Sequence, residues 1–100
     1  MNDLGIEVVD LAEYAKSGKQ PPKAKQYKFQ VKNQVYTVEV ESMTGREICI
    51  MAGFTPPEKY ILDMKLHGGK TREIKPDDVV SFLEPGIEKF FCVARNQTEG

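Results

Sequence analysis

The sequence contains few of the side chains from which catalytic and metal sites are built. Its single histidine, His67, lies in the segment His-Gly-Gly-Lys. No cysteine or carboxylate is spaced there as a zinc ligand or as a catalytic triad partner, and the segment lacks the spacing of a phosphate-binding loop. The adjacent acids Asp77 and Asp78 follow a proline, which is typical of helix capping. We therefore expect no catalytic site, no metal and no bound cofactor, and we expect that the protein is not an enzyme.

Cysteine and long apolar runs are also scarce. Cys49 and Cys92 both lie within apolar segments, which favours buried free thiols over a disulfide framework and fits a reducing cytoplasm. No apolar run is long enough to span a bilayer. The first residues are acidic where a signal peptide is basic, and no apolar signal core follows. The sequence thus predicts a cytoplasmic location and no membrane partner.

The charge is nearly balanced, with a net value of −1, and so gives no sign of a nucleic-acid partner. The charges are nevertheless unevenly distributed. All charged side chains of residues 1–13 are acidic, and all charged side chains of residues 16–32 are basic. The basic segment could attract an acidic partner, although a solvated linker is the simpler interpretation. A chain of 100 residues, 40% of them hydrophobic, predicts one ordinary globular domain.

Residues 1–26 read as an N-terminal arm and linker. Apolar residues within residues 4–16 recur at helical spacing, Ser17-Gly18 ends that pattern, and the Pro-Pro sequence in residues 20–25 predicts an extended linker. Two alternatives are open, since the amphipathic arm could pack on its own domain or dock on another protein. The linker favours docking, which includes self-association, and makes residues 1–22 dispensable for folding. The docking residues would be Val8, Leu11 and Tyr14.

The clearest helix signal runs from Thr44 to Gly53. Thr44 and Glu47 are spaced as a capping box, in which each side chain bonds the backbone N–H of the other residue. Gly53 suits the left-handed conformation that closes a helix, and the prolines that follow prevent its continuation. Before this helix, residues 27–40 alternate between apolar and polar side chains, which predicts a hairpin that turns at Asn33-Gln34.

Further strands are predicted after the helix. Residues 60–66 alternate, residues 71–74 can form a very short strand, residues 76–83 allow one helical turn, and residues 89–95 form the last strand. This order predicts an α+β fold, a β-grasp, with a mixed sheet of four to five strands packed on one helix. The first and last strands would be parallel neighbours at its centre. A ferredoxin-like order would require a second full helix, for which residues 76–83 are too short.

Four apolar residues fall on the sheet face that polar neighbours mark as solvent-exposed. Such a group, if contiguous, predicts a partner-binding surface. The arm could instead cover this face, or the register of residues 90–94 could be shifted by one, which would bury two of the four. The residues are Val35, Ile61, Phe91 and Val93.

Several segments resemble a known family. The sequence is similar to the bacterial multiubiquitin family over roughly residues 8–95, including the leader Val9-Asp-Leu-Ala-Glu-Tyr-Ala-Lys. The Thr-Gly-Arg-Glu pattern with this leader is the most specific part of the resemblance. Members of the family are ubiquitin-like domains encoded beside ubiquitin-type activating and conjugating enzymes. The other matching segments are Tyr27-Lys-Phe-Gln-Val, Thr44-Gly-Arg-Glu-Ile, Tyr60-Ile-Leu and Phe90-Phe.

The resemblance implies a ubiquitin-like domain at residues 27–95, a flexible tail at residues 96–100, and a protein modifier. Such a modifier is attached through a C-terminal glycine, here Gly100, after an activating enzyme has used ATP. The implied partners are activating and conjugating enzymes and a deconjugating protease. The chain ends in a single glycine rather than a Gly-Gly pair, which is a departure from the ubiquitin pattern. The alternatives are a noncovalent interaction module and, less favoured, a sulfur carrier.

Overall fold

The computed structural model describes residues 6–95. Within this range the chain forms two α-helices, eight strands and a 3₁₀ turn at Pro57–Lys59. The elements in chain order are β1 (Ile6–Asp10), α1 (Leu11–Ser17), β2 (Ala24–Val31), β3 (Gln34–Val38), β4 (Ser42–Thr44), α2 (Gly45–Met51), β5 (Tyr60–Leu66), β6 (Thr71–Ile74), β7 (Val79–Ser81) and β8 (Ile87–Ala94).

The main sheet has the order β3-β2-β8-β5-β6. β2 and β8 are parallel and meet where Val31 lies opposite Phe90, while β8 and β5 are antiparallel. The chain forms a hairpin, crosses over through a helix and returns parallel to its first strand, and the last strand lies beside the first. This topology confirms the predicted α+β fold, a ubiquitin-like β-grasp. A sixth strand, β1, extends the sheet, and β4 pairs with β7 in a separate two-stranded sheet.

The core lies between α2 and the inner face of the sheet. Tyr27 and Phe29 of β2 are buried, as their alternation with lysine and glutamine predicts. Phe82 is also fully buried, and its ring stacks on Phe29 with 4.9 Å between centroids. Phe90 of β8 meets the edge of Phe29 at 5.5 Å. Each of these rings stabilises the fold by roughly 1.5–3 kcal/mol through removal of its surface from water.

The two cysteines confirm the prediction of buried free thiols. Cys49 projects into the core from α2, and Cys92 does so from β8. Burial disfavours the thiolate and raises the pKa of both groups, that of Cys92 to about 12. Both side chains therefore stay protonated and act as small apolar core residues.

α2 begins as predicted. The Thr44 hydroxyl accepts a hydrogen bond from the Glu47 N–H at 3.1 Å, and the Glu47 carboxylate accepts one from the Thr44 N–H at 2.8 Å. Gly53 has φ 88°, the left-handed conformation expected beyond the last turn. The capping box and the closing glycine are therefore both confirmed.

We expect that Thr44→Ala lowers the free energy of unfolding by about 1 kcal/mol, because the Glu47 N–H loses its acceptor. Urea denaturation followed by circular dichroism measures this change. Thr71→Ala is the matched control, since Thr71 lies exposed at a sheet edge. Equal effects of the two substitutions would argue against a stabilising cap.

The structure corrects two local predictions. The hairpin turns at Lys32 and Asn33, one residue earlier than predicted, with Lys32 at φ 54°. The helical turn predicted within residues 76–83 is wrong, because Val79–Ser81 is a strand paired with β4. The acids before it close a turn instead, in which the Asp78 carboxylate accepts from the Lys75 N–H at 2.9 Å. The adjacent β-branched residues that follow this turn favour a strand.

The N-terminal segment packs on its own domain, one of the two alternatives that the sequence left open. Its first half is not helical but forms β1, which pairs in parallel with β2. The Asp10 carboxylate accepts from the Ala12 N–H at 3.1 Å and thereby starts α1. Leu11 is 1% exposed within the main core cluster, so its assignment to a docking surface was wrong. Val8 is exposed and Tyr14 half-buried.

This arrangement changes the role of residues 1–26. The predicted boundary between residues 26 and 27 falls inside β2, which spans Ala24–Val31. β1 and α1 add to the same sheet and core, which argues against the expectation that residues 1–22 are dispensable for folding. Within the described range, neither helix is long and apolar enough to cross a membrane.

Candidate partner-binding face

Three of the four apolar residues predicted to face outward lie together on β5 and β8. Ile61 lies directly opposite Val93, and Phe91 is two residues earlier on the same face of β8. Val93 is 52% exposed and Phe91 36%, whereas Ile61 is half-buried. Because the neighbouring Phe90 is fully buried, the predicted register of β8 is confirmed and the one-residue shift is excluded. We call Ile61, Phe91 and Val93 the β5–β8 patch.

Val35 does not belong to this patch. It lies on β3 opposite Gln30 of β2, and β8 follows on the far side of β2. Two strand spacings, about 10 Å, therefore separate β3 from β8. Gln30 of β2, which lies opposite Val35, is on the intervening strand. The predicted four-residue surface is thus corrected to three contiguous residues and a separate exposed valine.

Charged side chains border the β5–β8 patch. The Lys89 ammonium lies 4.9 Å from the centre of the Phe91 ring, within range of a cation–π interaction. A strand irregularity beside Lys65 allows Glu88 to reach the same side, 3.8 Å from the Lys65 ammonium and 3.2 Å from His67. An apolar centre with a charged rim is the usual composition of a protein-binding surface.

α1 lies near the start of β8, on the Lys89 side of the patch. Its residues Ala12 and Lys16 line a cleft with Glu88 and Lys89, near the start of the strand. The patch residues Phe91 and Val93 stay exposed within the described part of the chain. The alternative that the N-terminal segment covers the predicted surface therefore does not hold for residues 6–95.

Arg95 fixes the point at which the C-terminal residues begin. Its N–H donates to the Lys59 carbonyl at 2.7 Å, and its guanidinium donates to the carbonyls of Glu58 at 3.2 Å and Tyr60 at 3.4 Å. The end of β8 is thereby tied to the start of β5, beside Val93. The sequence marked Arg95 only as a solvent-facing residue. No local signal indicates these bonds, because they depend on the loop that precedes β5.

A second arginine holds the same loop. The Arg46 guanidinium forms an ion pair with Glu58 and a second one with Asp77 at 3.1 Å. These contacts join α2, the 3₁₀ turn and the loop before β7. The hydrogen bond from Arg46 stabilises the carboxylate and lowers the pKa of Glu58 below its ordinary value. By the same interaction, Glu58 raises the pKa of Arg46.

The Thr-Gly-Arg-Glu pattern that carries the family resemblance is accounted for by these contacts. Thr44 and Glu47 form the capping box, and Arg46 forms the ion pairs. A side chain at Gly45 would overlap the carbonyl oxygen of Lys75, which closely approaches the start of α2. The pattern therefore specifies how α2 is attached to the rest of the fold, and the exposed patch lies elsewhere.

We expect Glu58 to titrate below about 4.3, the value of an unperturbed glutamate. Because the native pKa is the lower one, the unfolded state binds more protons in this range, and the stability from the ion pair is lost as the pH falls through the native pKa. An NMR titration of the Glu58 side-chain carboxyl measures the midpoint. In Arg46→Gln the midpoint should rise towards the ordinary value, and an unchanged midpoint would contradict the assignment.

The sheet order, the single crossing helix and the exposed patch define a ubiquitin-like β-grasp protein. The family model described as Multiubiquitin matches residues 27–94, more than half of the chain. The chain therefore belongs to the multiubiquitin family. The comparison with curated proteins and the comparison with solved structures give no match. β1 and α1 precede the matched region.

Proposed function

We propose that the protein is a ubiquitin-like modifier that is activated at Gly100. The observation that carries the proposal is that Phe91 and Val93 of the β5–β8 patch lie on β8, the strand from which the C-terminal residues continue, and that Arg95 ties the end of this strand to the loop before β5. An activating enzyme that binds the patch would therefore meet Arg95, from which the C-terminal residues continue, in a defined position. Membership of the multiubiquitin family supports the same function.

The chemistry needs little from this chain beyond its end. The carboxylate at Gly100 attacks the α-phosphorus of ATP in the enzyme, pyrophosphate leaves, and an acyl adenylate forms. A nucleophilic side chain of the enzyme then attacks the activated carbonyl carbon and releases AMP. Glycine allows the backbone to approach closely within a narrow channel, because it has no side chain. The modifier would then pass to a conjugating enzyme and a target, from which a protease could release it.

A noncovalent interaction module is the second candidate. It is favoured by the exposure of Phe91 and Val93, which does not depend on any chemistry at the C-terminus. Docking through the N-terminal segment is less favoured, because Leu11 is buried. Two buried free thiols fit a reducing compartment, and we propose the cytoplasm for either function.

Incubation of the full chain with a cognate activating enzyme and ATP, followed by intact-mass measurement, tests the proposal. We expect an enzyme adduct whose mass increases by that of the chain minus water, and only when ATP is present. Binding without an adduct would favour the noncovalent module. The absence of both binding and adduct would argue against both candidates.

We expect that Phe91→Asp and Val93→Asp each weaken binding to the activating enzyme by roughly tenfold or more, because a charge replaces an apolar contact. Both residues are exposed, so the free energy of unfolding should change by less than about 1 kcal/mol. Titration calorimetry measures the affinity. Val79→Asp is the matched control, since Val79 is 68% exposed and lies on β7. Equal losses in all three variants would contradict the location of the binding surface.

A further inference from the structure

A groove crosses the outer face of the sheet beside α1. It consists of two adjoining clefts, one of about 310 Å³ beside Lys16 of α1 and one of about 110 Å³ beside Val35 of β3. Ala12 and Gln30 line both clefts, so the two are continuous. We call them together the α1 groove. The residues that define it are Ala12, Lys16, Gln30, Val35 and Lys89.

The strand register places the sheet residues of the α1 groove in one row. Val35 of β3 lies opposite Gln30 of β2. Since Val31 lies opposite Phe90 in the parallel pair, the preceding residues, Gln30 and Lys89, are neighbours on β2 and β8. The row therefore runs from an apolar residue on β3 to a basic residue on β8, over two strand spacings or about 10 Å.

The net charge of the groove lies at its β8 end. Lys16 and Lys89 line the larger cleft, and neither forms an ion pair within residues 6–95. Glu88 also lines this cleft, but its carboxylate lies 3.8 Å from the Lys65 ammonium and 3.2 Å from His67. The charge of Glu88 is therefore compensated by Lys65, and two ammonium groups are left to attract an anion.

The β3 end of the groove carries no net charge. Val35 is 56% exposed. Lys28 lines the smaller cleft too, but its ammonium lies 3.8 Å from the carboxylate of Asp10. Between the two ends, the Gln30 side-chain N–H donates to the Lys32 carbonyl at 2.6 Å, which leaves the side-chain oxygen to accept a hydrogen bond from a ligand. The groove thus offers an apolar contact, an acceptor and two cations in that order.

We propose that the α1 groove binds a short acidic segment of a partner protein in an extended conformation. An apolar side chain of the segment lies on Val35, and a backbone N–H donates to Gln30. One or two carboxylates bind Lys16 and Lys89 at the other end. Alternate side chains of an extended segment are about 6.7 Å apart, so the acidic residues lie two and four positions from the apolar one.

The α1 groove differs from the β5–β8 patch in its charge. Asp63 lies opposite Phe91 on the patch, so a carboxylate bound there would meet a like charge. α1 precedes the region that the multiubiquitin family model matches, so the groove depends on residues outside that region. Binding in the groove requires no chemistry at Gly100. The inference therefore goes beyond the modifier function and does not rest on it.

NMR titration of the full chain with synthetic peptides tests the proposal. The probes are Leu-Ser-Glu-Ser-Glu and its reverse, because either chain direction places the carboxylates at the β8 end. We expect one of them to bind with a dissociation constant of about 0.1–1 mM, and the same peptide with Gln for Glu to bind about tenfold more weakly. The amide signals of Ala12, Gln30 and Lys89 should shift, and that of Val93 should not.

Charge variants locate the cationic end. Lys16→Gln and Lys89→Gln should each weaken binding of the acidic probe by about threefold to fivefold, and the double variant by about tenfold or more, because exposed ion pairs contribute little singly. Lys23→Gln is the matched control. It removes the same charge from an exposed residue before β2 and should change the affinity by less than about twofold.

A variant of the apolar end completes the test. Val35→Thr keeps the shape of the side chain and should weaken binding of the Leu-containing probe by about threefold, but not that of a probe with Ser in place of Leu. Val93→Thr makes the same change on the β5–β8 patch and should leave the affinity unchanged. The amide spectrum of each variant reports its fold.

The proposal is overturned if neither acidic probe binds at about 5 mM. It is also overturned if Lys23→Gln weakens binding as much as Lys16→Gln, because the probe would then respond only to net charge. Shifts that centre on Val93 and are absent from the groove would assign the probe to the β5–β8 patch and would overturn the proposal as well.

Discussion

Replacement of Leu11 by alanine should lower the free energy of unfolding by about 2–5 kcal/mol. Leu11 is 1% exposed and belongs to the same core cluster as Tyr27 and Phe82. Its truncation removes apolar contacts and leaves a cavity that the surrounding strands can fill only in part. Urea denaturation of the full chain, followed by circular dichroism, measures the change. A loss of this size would show that the N-terminal segment is an integral part of the domain.

Val8→Ala is the matched control, because Val8 lies on the adjacent β1 but is 42% exposed. It should cost less than about 1 kcal/mol. Deletion of residues 1–17 removes β1 and α1 together, uncovers one side of β2 and should unfold the domain or destabilise it more than Leu11→Ala. If Leu11→Ala costs no more than Val8→Ala, the segment does not contribute to the core in solution.

The elements that the sequence predicted correctly are those with local signals. The capping box requires only two residues three positions apart, Thr44 and Glu47. The outward register of β8 follows from Lys89 and Arg95, which mark alternate positions as solvent-exposed. Strand alternation and helix capping both depend on a few neighbouring residues, so a short segment of sequence is enough to predict a cap or the outward face of a strand.

The elements that could not be predicted from the sequence depend on contacts between distant parts of the chain. β1 contains two successive valines, Val8 and Val9, and whether they join a strand or a helix depends on the free side of β2 near Lys28. β7 is a strand because β4 lies beside it, 35 residues earlier at the Thr44–Val79 pair. Periodicity within either short segment cannot distinguish these outcomes.

For the candidate site, too, the sequence predicted which residues face outward but not which of them are neighbours. Alternation placed Ile61, Phe91 and Val93 on one face, and the register confirms that they are neighbours. Alternation says nothing about the order of strands, so it could not show that β2 separates Val35 from the others. The bonds of Arg95 depend on the same long-range arrangement. Face assignments are thus local properties, whereas contiguity is a property of the assembled sheet.

Removal of Gly100 should abolish ATP-dependent attachment to the activating enzyme and leave the melting temperature unchanged. Attachment requires a carboxylate that reaches the nucleotide, and a residue with a side chain at the new end would obstruct close approach. If activation occurs at Gly100, the five residues after Arg95 span at most about 18 Å when fully extended, which limits the distance between the activated carboxylate and the end of β8.

Two matched variants separate the identity of the last residue from the reach of the chain. Thr98→Ala keeps both the terminal Gly100 and the length of chain after Arg95, and this variant should attach normally. Deletion of Gln97 and Thr98 keeps Gly100 but shortens the extended length after Arg95 by about 7 Å, and this variant should attach more slowly. Intact-mass measurement of the enzyme adduct reports attachment, and thermal denaturation reports the fold. Undiminished attachment after removal of Gly100 would show that activation does not occur at this residue. Because Arg95 is retained in every variant, such a result would concern the chemistry of the chain end and leave the β5–β8 patch as a separate question.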